Sequence, residues 1–340
     1  MAIDSTRFQP KPQELNTSWI ASVAARTPAA YFGMVLGLAG LGNAWRAAEQ
    51  TWHIGNGISE WILALAAIVW AVLVILFAAK AVLAMDKLVM EINHPVQCCF
   101  VGLIGVATML IAGAAEPYSY TAGAALFVVG FAFTGIFAVW RTGGLWHGER
   151  DPATTTAVLY LPTVAGSFVS ATIASLLGYQ DWGQLAFGAG IFSWLAIESV
   201  LLHRLLTGPM TPPALRPTLG VQLAPAPVGA VAYISVSGGA PDMFVHALIG
   251  YGILQLVVLL RLSQWLREAG AVMGFWAFSF GATSMATAPA RLLGHGDNAA
   301  ISVVAPITFF LANLLVLGLT VMTVWLLVSG RMYAKPVTAK

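Results

Sequence analysis

Few side chains in this sequence stand where they could do chemistry. Glu198 is the one acid well inside an apolar stretch, about a turn and a half before Arg204. Two roles suit such an acid. One is a neutralising contact with His203, Arg204 or a neighbouring helix end; the other is a proton relay at membrane depth, where ionisable residues are costly and usually functional. Trp146-His147-Gly148-Glu149 sets one histidine beside one acid, yet no second histidine follows at metal-ligand spacing. The 6 histidines are scattered, and the chain has neither a Gly-x-Ser-x-Gly elbow nor a phosphate-binding glycine loop. Cys98 and Cys99 are adjacent, point in different directions on a helix and cannot readily bridge each other. They read as small apolar packing residues. The chain is therefore not expected to be an enzyme or to need a cofactor or metal.

An aromatic pair on the ninth span reads, on its residues alone, as ordinary packing; a pore-blocking role comes only with the family resemblance. In Trp276-Ala277-Phe278-Ser279-Phe280-Gly281 two phenylalanines lie two residues apart, and two residues of helix turn a side chain by about 200°. Only one of them can face an axis. A ring in a narrow apolar lumen would exclude ions by its bulk and by keeping the passage dry.

The elements that must position these residues follow from composition. Of 340 residues 59% are apolar and 9% charged, against about 25% charged in soluble domains. Such a chain cannot cover itself with a wetted surface, so its solvent is largely hydrocarbon. A net charge of +2 gives no footing for nucleic acid. Windows of membrane-spanning length, about 20 apolar residues, occur near 28–47, 59–84, 95–115, 119–140, 154–177, 182–206, 213–236, 242–262, 271–292 and 300–329. The expected fold class is an all-α polytopic membrane protein with ten transmembrane helices. Residues 1–27 form a cytoplasmic N-terminal tail, 28–332 the membrane domain and 333–340 a cytoplasmic C-terminal tail. Single hydroxyls in the tails, Ser5, Thr6 and Thr338, are solvated groups open to phosphorylation.

Charge placement tests the count. With both ends inside, fourteen of the 16 basic residues fall in cytoplasmic segments, and only Arg46 and Arg291 lie elsewhere. This is the bias the positive-inside rule expects, and one helix more or fewer would scramble it.

A second regularity has a period of two helices. Odd spans carry Gly33, Gly37, Gly40 and Gly42, then Gly102, Gly105 and Gly113, then Pro162 and Gly166, then Pro225, Pro227 and Gly229, then Gly274 and Gly281. Even spans are bulkier, as in Trp61–Leu76, with exceptions at Gly188, Gly190 and Pro306. Prolines kink helices and free carbonyls that protein or water must satisfy. The odd helices thus suit an inner ring around a wet or packed axis, while close packing between small residues explains the glycines equally well. Kink positions on these helices give Leu36, Gly105, Pro162, Ala165 and Pro225 as wall candidates. The middles of the third, fifth, seventh and ninth spans hold no charge, unlike most coupled carriers.

Several stretches are distinctive in order along the chain: Tyr31-Phe32-Gly33-Met34-Val35-Leu36-Gly37-Leu38-Ala39-Gly40-Leu41, Tyr160-Leu161-Pro162-Thr163-Val164-Ala165, Leu215-Arg216-Pro217-Thr218-Leu219-Gly220-Val221-Gln222-Leu223-Ala224-Pro225, and Phe275-Trp276-Ala277-Phe278-Ser279-Phe280-Gly281-Ala282. Over about residues 28 to 332 the chain resembles the bacterial TehA family of tellurite-resistance and dicarboxylate transporters, relatives of the plant guard-cell slow anion channel. The resemblance implies five helical hairpins in quasi-fivefold arrangement, odd helices lining a pore, and a homotrimer in the bacterial inner membrane. It also implies that Phe280 blocks the pore, with Gly33 making room for the ring. On this basis the expected function is a gated channel for small inorganic anions such as chloride or nitrate, linked by family name to tellurite resistance. A proton-coupled carrier of C4-dicarboxylate or sulfite, dependent on Glu198, is one alternative, and a non-conducting sensor or scaffold is another.

Overall fold

The structure is a computed structural model describing residues 19–55, 57–148, 151–296 and 299–333. The apolar windows fold as helices: α1 (Phe32–Trp52), α2 (Ile58–Leu83), α3 (Cys98–Ala115), α4 (Tyr120–Leu145), α5 (Ala157–Leu176), α6 (Gln180–Thr207), α7 (Pro213–Ser237), α8 (Met243–Arg261), α9 (Ser279–Leu293) and α10 (Ala299–Val328). Among the described residues, eight helices are long and apolar enough to cross a membrane. The protein is an all-α, multi-pass membrane protein. α1 and α9 fall short of that standard for different reasons. α1 carries Asn43, Arg46 and Glu49, and α9 has 15 residues rich in Ala, Ser and Thr.

Both are nonetheless largely buried. Every residue of 32–41 is buried, as is every residue of 279–290 except Phe280. Buried residues make up 83% of the most apolar window of α3, 72% of that of α5 and 78% of that of α7. For α2, α4, α6, α8 and α10 the share is between 17% and 28%. The outer helices present Trp61, Ile68, Ile75, Ile136, Val139, Leu185, Phe192 and Phe310 to the surroundings. Side chains of this kind are stable outside only against lipid or another apolar surface.

Each odd helix packs on the even helix that follows it. The odd helices also touch one another in sequence, α1 on α3, α3 on α5, α5 on α7 and α7 on α9, and α9 returns to α1. The odd helices are broken where the even ones run on. A 3-10 turn at Ala29–Tyr31 leads into α1, α3 is interrupted at Gly102, and Leu161–Ala165 is a π turn carrying Pro162. Pro213–Leu223 is wound as 3-10 up to the α-helical start at Pro225, and Met273–Phe278 is wound as 3-10 before α9. At Pro162 and in Pro213–Leu223 the regular i to i−4 bond cannot be made throughout, because proline lacks the N–H and its ring crowds the preceding turn; the breaks at Gly102 and Met273–Phe278 contain no proline.

The glycines make the close approaches. A Cβ on Gly37 would come within 2.3 Å of Ser279 Oγ, and one on Gly40 within 2.2 Å of Thr283 Oγ1, so the α1 backbone packs directly on small side chains of α9. The even-helix exception Gly190 has a matching cause, since a Cβ there would meet the Phe168 ring at 2.7 Å.

The expected N-terminal tail contains a helix, Trp19–Arg26, that turns Ala21 and Ala24 inward and leaves Trp19 outward, the pattern of a helix lying at an interface. Ser5, Thr6, Glu149, Arg150, Thr338 and both chain ends lie outside the described residues. Lys80, Arg141, Arg204 and Arg261 sit near the C-terminal ends of α2, α4, α6 and α8, which share one end of the bundle, called here the basic end. Cys98 and Cys99 are buried and form no disulfide with each other.

Candidate functional site

Two chambers lie between the odd helices. The inner one, toward the basic end, is about 70 Å³ and is walled by residues at the helix breaks, among them Gly33, Leu36, Leu103, Ala165, Pro225 and Ala277. Nearly all of its lining is apolar. The outer chamber, toward the far end, is about 360 Å³ and is walled by apolar residues interleaved with polar groups on α1, α5, α7 and α9, among them Asn43, Arg46, Thr172, Ser235, Ser284 and Arg291. No Asp or Glu lines either chamber among the described residues.

Phe280 and Val228 are the two residues that border both chambers. The half-exposure of Phe280 in an otherwise buried helix is exposure to these cavities. Its backbone is fixed from behind. A Cβ on Gly281 would meet the Leu223 carbonyl carbon and the Ala224 nitrogen at 2.9 Å, so α9 lies directly on the break of α7. Phe278 faces away from both chambers. It packs against Gly220, where an added Cβ would come within 2.4 Å of its ring, and opens on a lateral apolar groove lined by α8 and α10.

The sequence candidates are thus divided. Phe280, Gly33, Leu36, Ala165 and Pro225 meet at the inner chamber. Gly105 and Pro162 do not, and both are corrected as wall residues. Gly105 is turned toward α4, where an added Cβ would stand 2.5 Å from the Gly130 carbonyl oxygen and 2.1 Å from Thr134 Oγ1. Pro162 is buried in the π turn while its neighbours Leu161, Val164 and Ala165 take the cavity side. Gly105→Ala is accordingly expected to destabilise the α3–α4 pair by about 1–3 kcal/mol through overpacking. Thermal unfolding in detergent reads this, and a variant as stable as the parent would contradict the close approach.

The ring partner also differs in detail. An added Cβ on Gly33 has Trp276 Cβ as its nearest neighbour at 3.6 Å, an ordinary contact, and meets no atom of the Phe280 ring. Gly40, two turns on, is the glycine beside the ring, its added Cβ lying 3.3 Å from Phe280 Cδ2. The glycine spacing of α1 contains both, and only the helix rotation separates them.

Glu198 is corrected as well. It reaches neither His203 nor Arg204, which lie on other faces of α6. His203 bonds its own helix at Thr207, and Arg204 donates to the Pro209 carbonyl at 2.8 Å. The Glu198 carboxylate points inward and accepts from Tyr160, from Trp194 Nε1 at 2.9 Å, from Gln222 Nε2 at 2.8 Å and from Tyr251 Oη at 2.5 Å. Tyr160 in turn lines the inner chamber. Glu198 itself lines neither chamber, and among the described residues no basic group lies within 4.0 Å of it.

Comparisons with known proteins bear on this arrangement. A sequence model of the voltage-dependent anion channel family matches residues 26–324. The chain is 36% identical over 309 residues to the tellurite resistance protein TehA homolog of Haemophilus influenzae, covering 91% of this chain and 93% of that protein. It is also 27% identical over 134 residues to an uncharacterized transporter of Methanocaldococcus jannaschii, 36% of this chain and 37% of that protein.

Proposed function

The chain belongs to the voltage-dependent anion channel family, which sets it among membrane channels and transporters rather than enzymes, and from that premise we propose a gated channel for small monovalent anions such as chloride and nitrate. The observation that carries the proposal is the position of Phe280 between an apolar inner chamber and a more polar outer one. In this reading the two chambers are halves of one passage, and the Phe280 ring closes it. Leu36, Ala165, Pro225 and Val228 form the wall around the ring, Gly40 leaves space beside it, and Gly33 lines the inner chamber it borders.

The sign of the ion follows from the lining. Arg46 and Arg291 both line the outer chamber; Arg46 is paired with Glu60, but Arg291 has no carboxylate within 4.0 Å among the described residues, so the chamber keeps a positive charge that attracts an entering anion and repels a cation. Helix breaks around the inner chamber free backbone N–H groups that can interact weakly with an anion, and weak sites permit fast exit. We further read the fold as ten transmembrane helices in five hairpins with quasi-fivefold arrangement. It would assemble as a homotrimer of independent pores in a bacterial inner membrane, with both ends cytoplasmic. A part in tellurite resistance rests on the name of the Haemophilus influenzae relative alone.

Purified protein in planar bilayers under a KCl gradient tests the reading. The current is expected to reverse near the chloride equilibrium potential. Reversal near the potassium potential would overturn anion selectivity, and flux that demands an imposed proton gradient would replace the channel by a coupled carrier.

A further inference from the structure

The two arginines of the outer chamber are held in different ways. Arg46 donates to both oxygens of Glu60, from Nε at 2.8 Å and from Nη2 at 3.0 Å. It also reaches the carbonyls of Gly113 and Ala114 at 3.2 and 3.3 Å. Its charge is neutralised and its donors are spent on tying α1 to α2 and α3. Arg291 has a single side-chain contact of this kind, from Nη1 to Ser235 Oγ at 2.9 Å. Ser235 passes its own proton to the Val231 carbonyl, so the hydroxyl accepts from Arg291 without contributing charge. Among the described residues no carboxylate lies within 4.0 Å of the Arg291 guanidinium.

A cation withdrawn from bulk water without a counter-ion is unfavourable, and the usual remedy is a partner of opposite charge. Among the described residues none is supplied, and the guanidinium lines a chamber with room for a small anion. Thr287 and Ser284 stand four and seven residues before Arg291 on α9, on the same helix face, and both line the chamber. Asn43 and Gln50 line it from α1. The Ser284 hydroxyl and these two amides bond to no other described residue, so neutral donors surround the unmatched charge.

We propose that Arg291 is the binding station of the outer chamber for a small oxyanion, held there before it meets the Phe280 ring. The preference for an oxyanion comes from the guanidinium. With one N–H held by Ser235, the remaining planar donors can grip two oxygens at once, which a spherical halide cannot supply. The inference rests on the reading of the chambers as an anion route, but binding can be measured apart from conduction.

The test is titration of the purified protein in detergent with nitrate and, separately, with chloride, following heat or the nitrogen resonance of labelled nitrate. Arg291→Gln is expected to weaken nitrate about tenfold or more, the loss of a charge-assisted bidentate contact. Arg291→Lys keeps the charge and serves where the glutamine variant fails to fold. It is expected to weaken nitrate while leaving chloride within about twofold, since a point charge suffices for a halide. Unchanged nitrate affinity in Arg291→Gln overturns the site. Equal losses of both anions in the lysine variant overturn the oxyanion preference. If Phe280→Ala channels pass no current but nitrate still binds through Arg291, the gate fails and the station stands. If they conduct with unaltered nitrate dependence in Arg291→Gln, the station fails and the gate stands.

Discussion

Phe280→Ala is expected to raise anion current about tenfold or more over the parent, because it removes the ring standing between two existing cavities. The substitution acts on a gap already prepared on both sides. The inner chamber reaches the ring from the helix breaks, and the outer chamber reaches it from Ser284 and Arg291. Truncating a fully packed phenylalanine costs about 3–5 kcal/mol, but a ring that already borders empty space has fewer contacts to lose. The helix is also anchored independently, through Gly281 against Leu223 and Ala224 and through Thr283 against Gly40 of α1. Phe280→Leu should give an intermediate current. Phe278→Ala is the control, because that ring faces Gly220 and the lateral groove and its removal should leave the passage closed. Single-channel recording with the variant shown to be folded reads all three. Silence of Phe280→Ala under those conditions would end the gate assignment.

The even helices were legible almost to the residue, because an outer membrane helix is fixed by its own apolar run. The window at 182–206 becomes Gln180–Thr207, and that at 242–262 becomes Met243–Arg261. The odd helices were legible as places but not as shapes. Pro162 and Pro225 announce a break, yet whether it is wound as 3-10, π or α depends on which neighbours donate to the freed carbonyls. Wall residues demand more still, since they require the rotation of each helix. Gly105 and Gly33 look alike in sequence, and only the approach of α4 turns one of them away from the axis. The sign of the ion was hidden for a related reason. Arg46 and Arg291 first appear as the two exceptions to the positive-inside pattern, and the fold brings both to the outer chamber from opposite ends of the chain.

Glu198→Ala is expected to be among the most destabilising single substitutions, costing about 3–5 kcal/mol, the sum of several buried donors losing their common acceptor at about 1–3 kcal/mol each, less partial re-pairing. The carboxylate is the common acceptor of donors on four helices: Tyr160 of α5, Trp194 of α6 itself, Gln222 of α7 and Tyr251 of α8. Without it these donors face one another, and each left unpaired costs about 1–3 kcal/mol. Some relief is available, because Gln255 already donates to the Tyr251 hydroxyl at 2.8 Å and other pairs can form around it. Glu198→Gln should be milder. The amide keeps the size and one acceptor but turns an NH2 group toward groups that also donate, for a loss of about 1–3 kcal/mol. This contrast separates two roles for the same acid. A carboxylate that braces the α5–α6 hairpin against the α7–α8 hairpin predicts losses of melting temperature graded from Gln to Ala, with ion selectivity kept in whatever protein remains folded. A proton relay predicts the reverse pattern, near-parental stability in Glu198→Gln with flux abolished and its dependence on a pH gradient lost. The inward-pointing geometry favours the brace: the acid sits behind Tyr160, which lines the inner chamber, and lines no chamber itself. Melting curves and liposome flux measured on the same two variants decide between them.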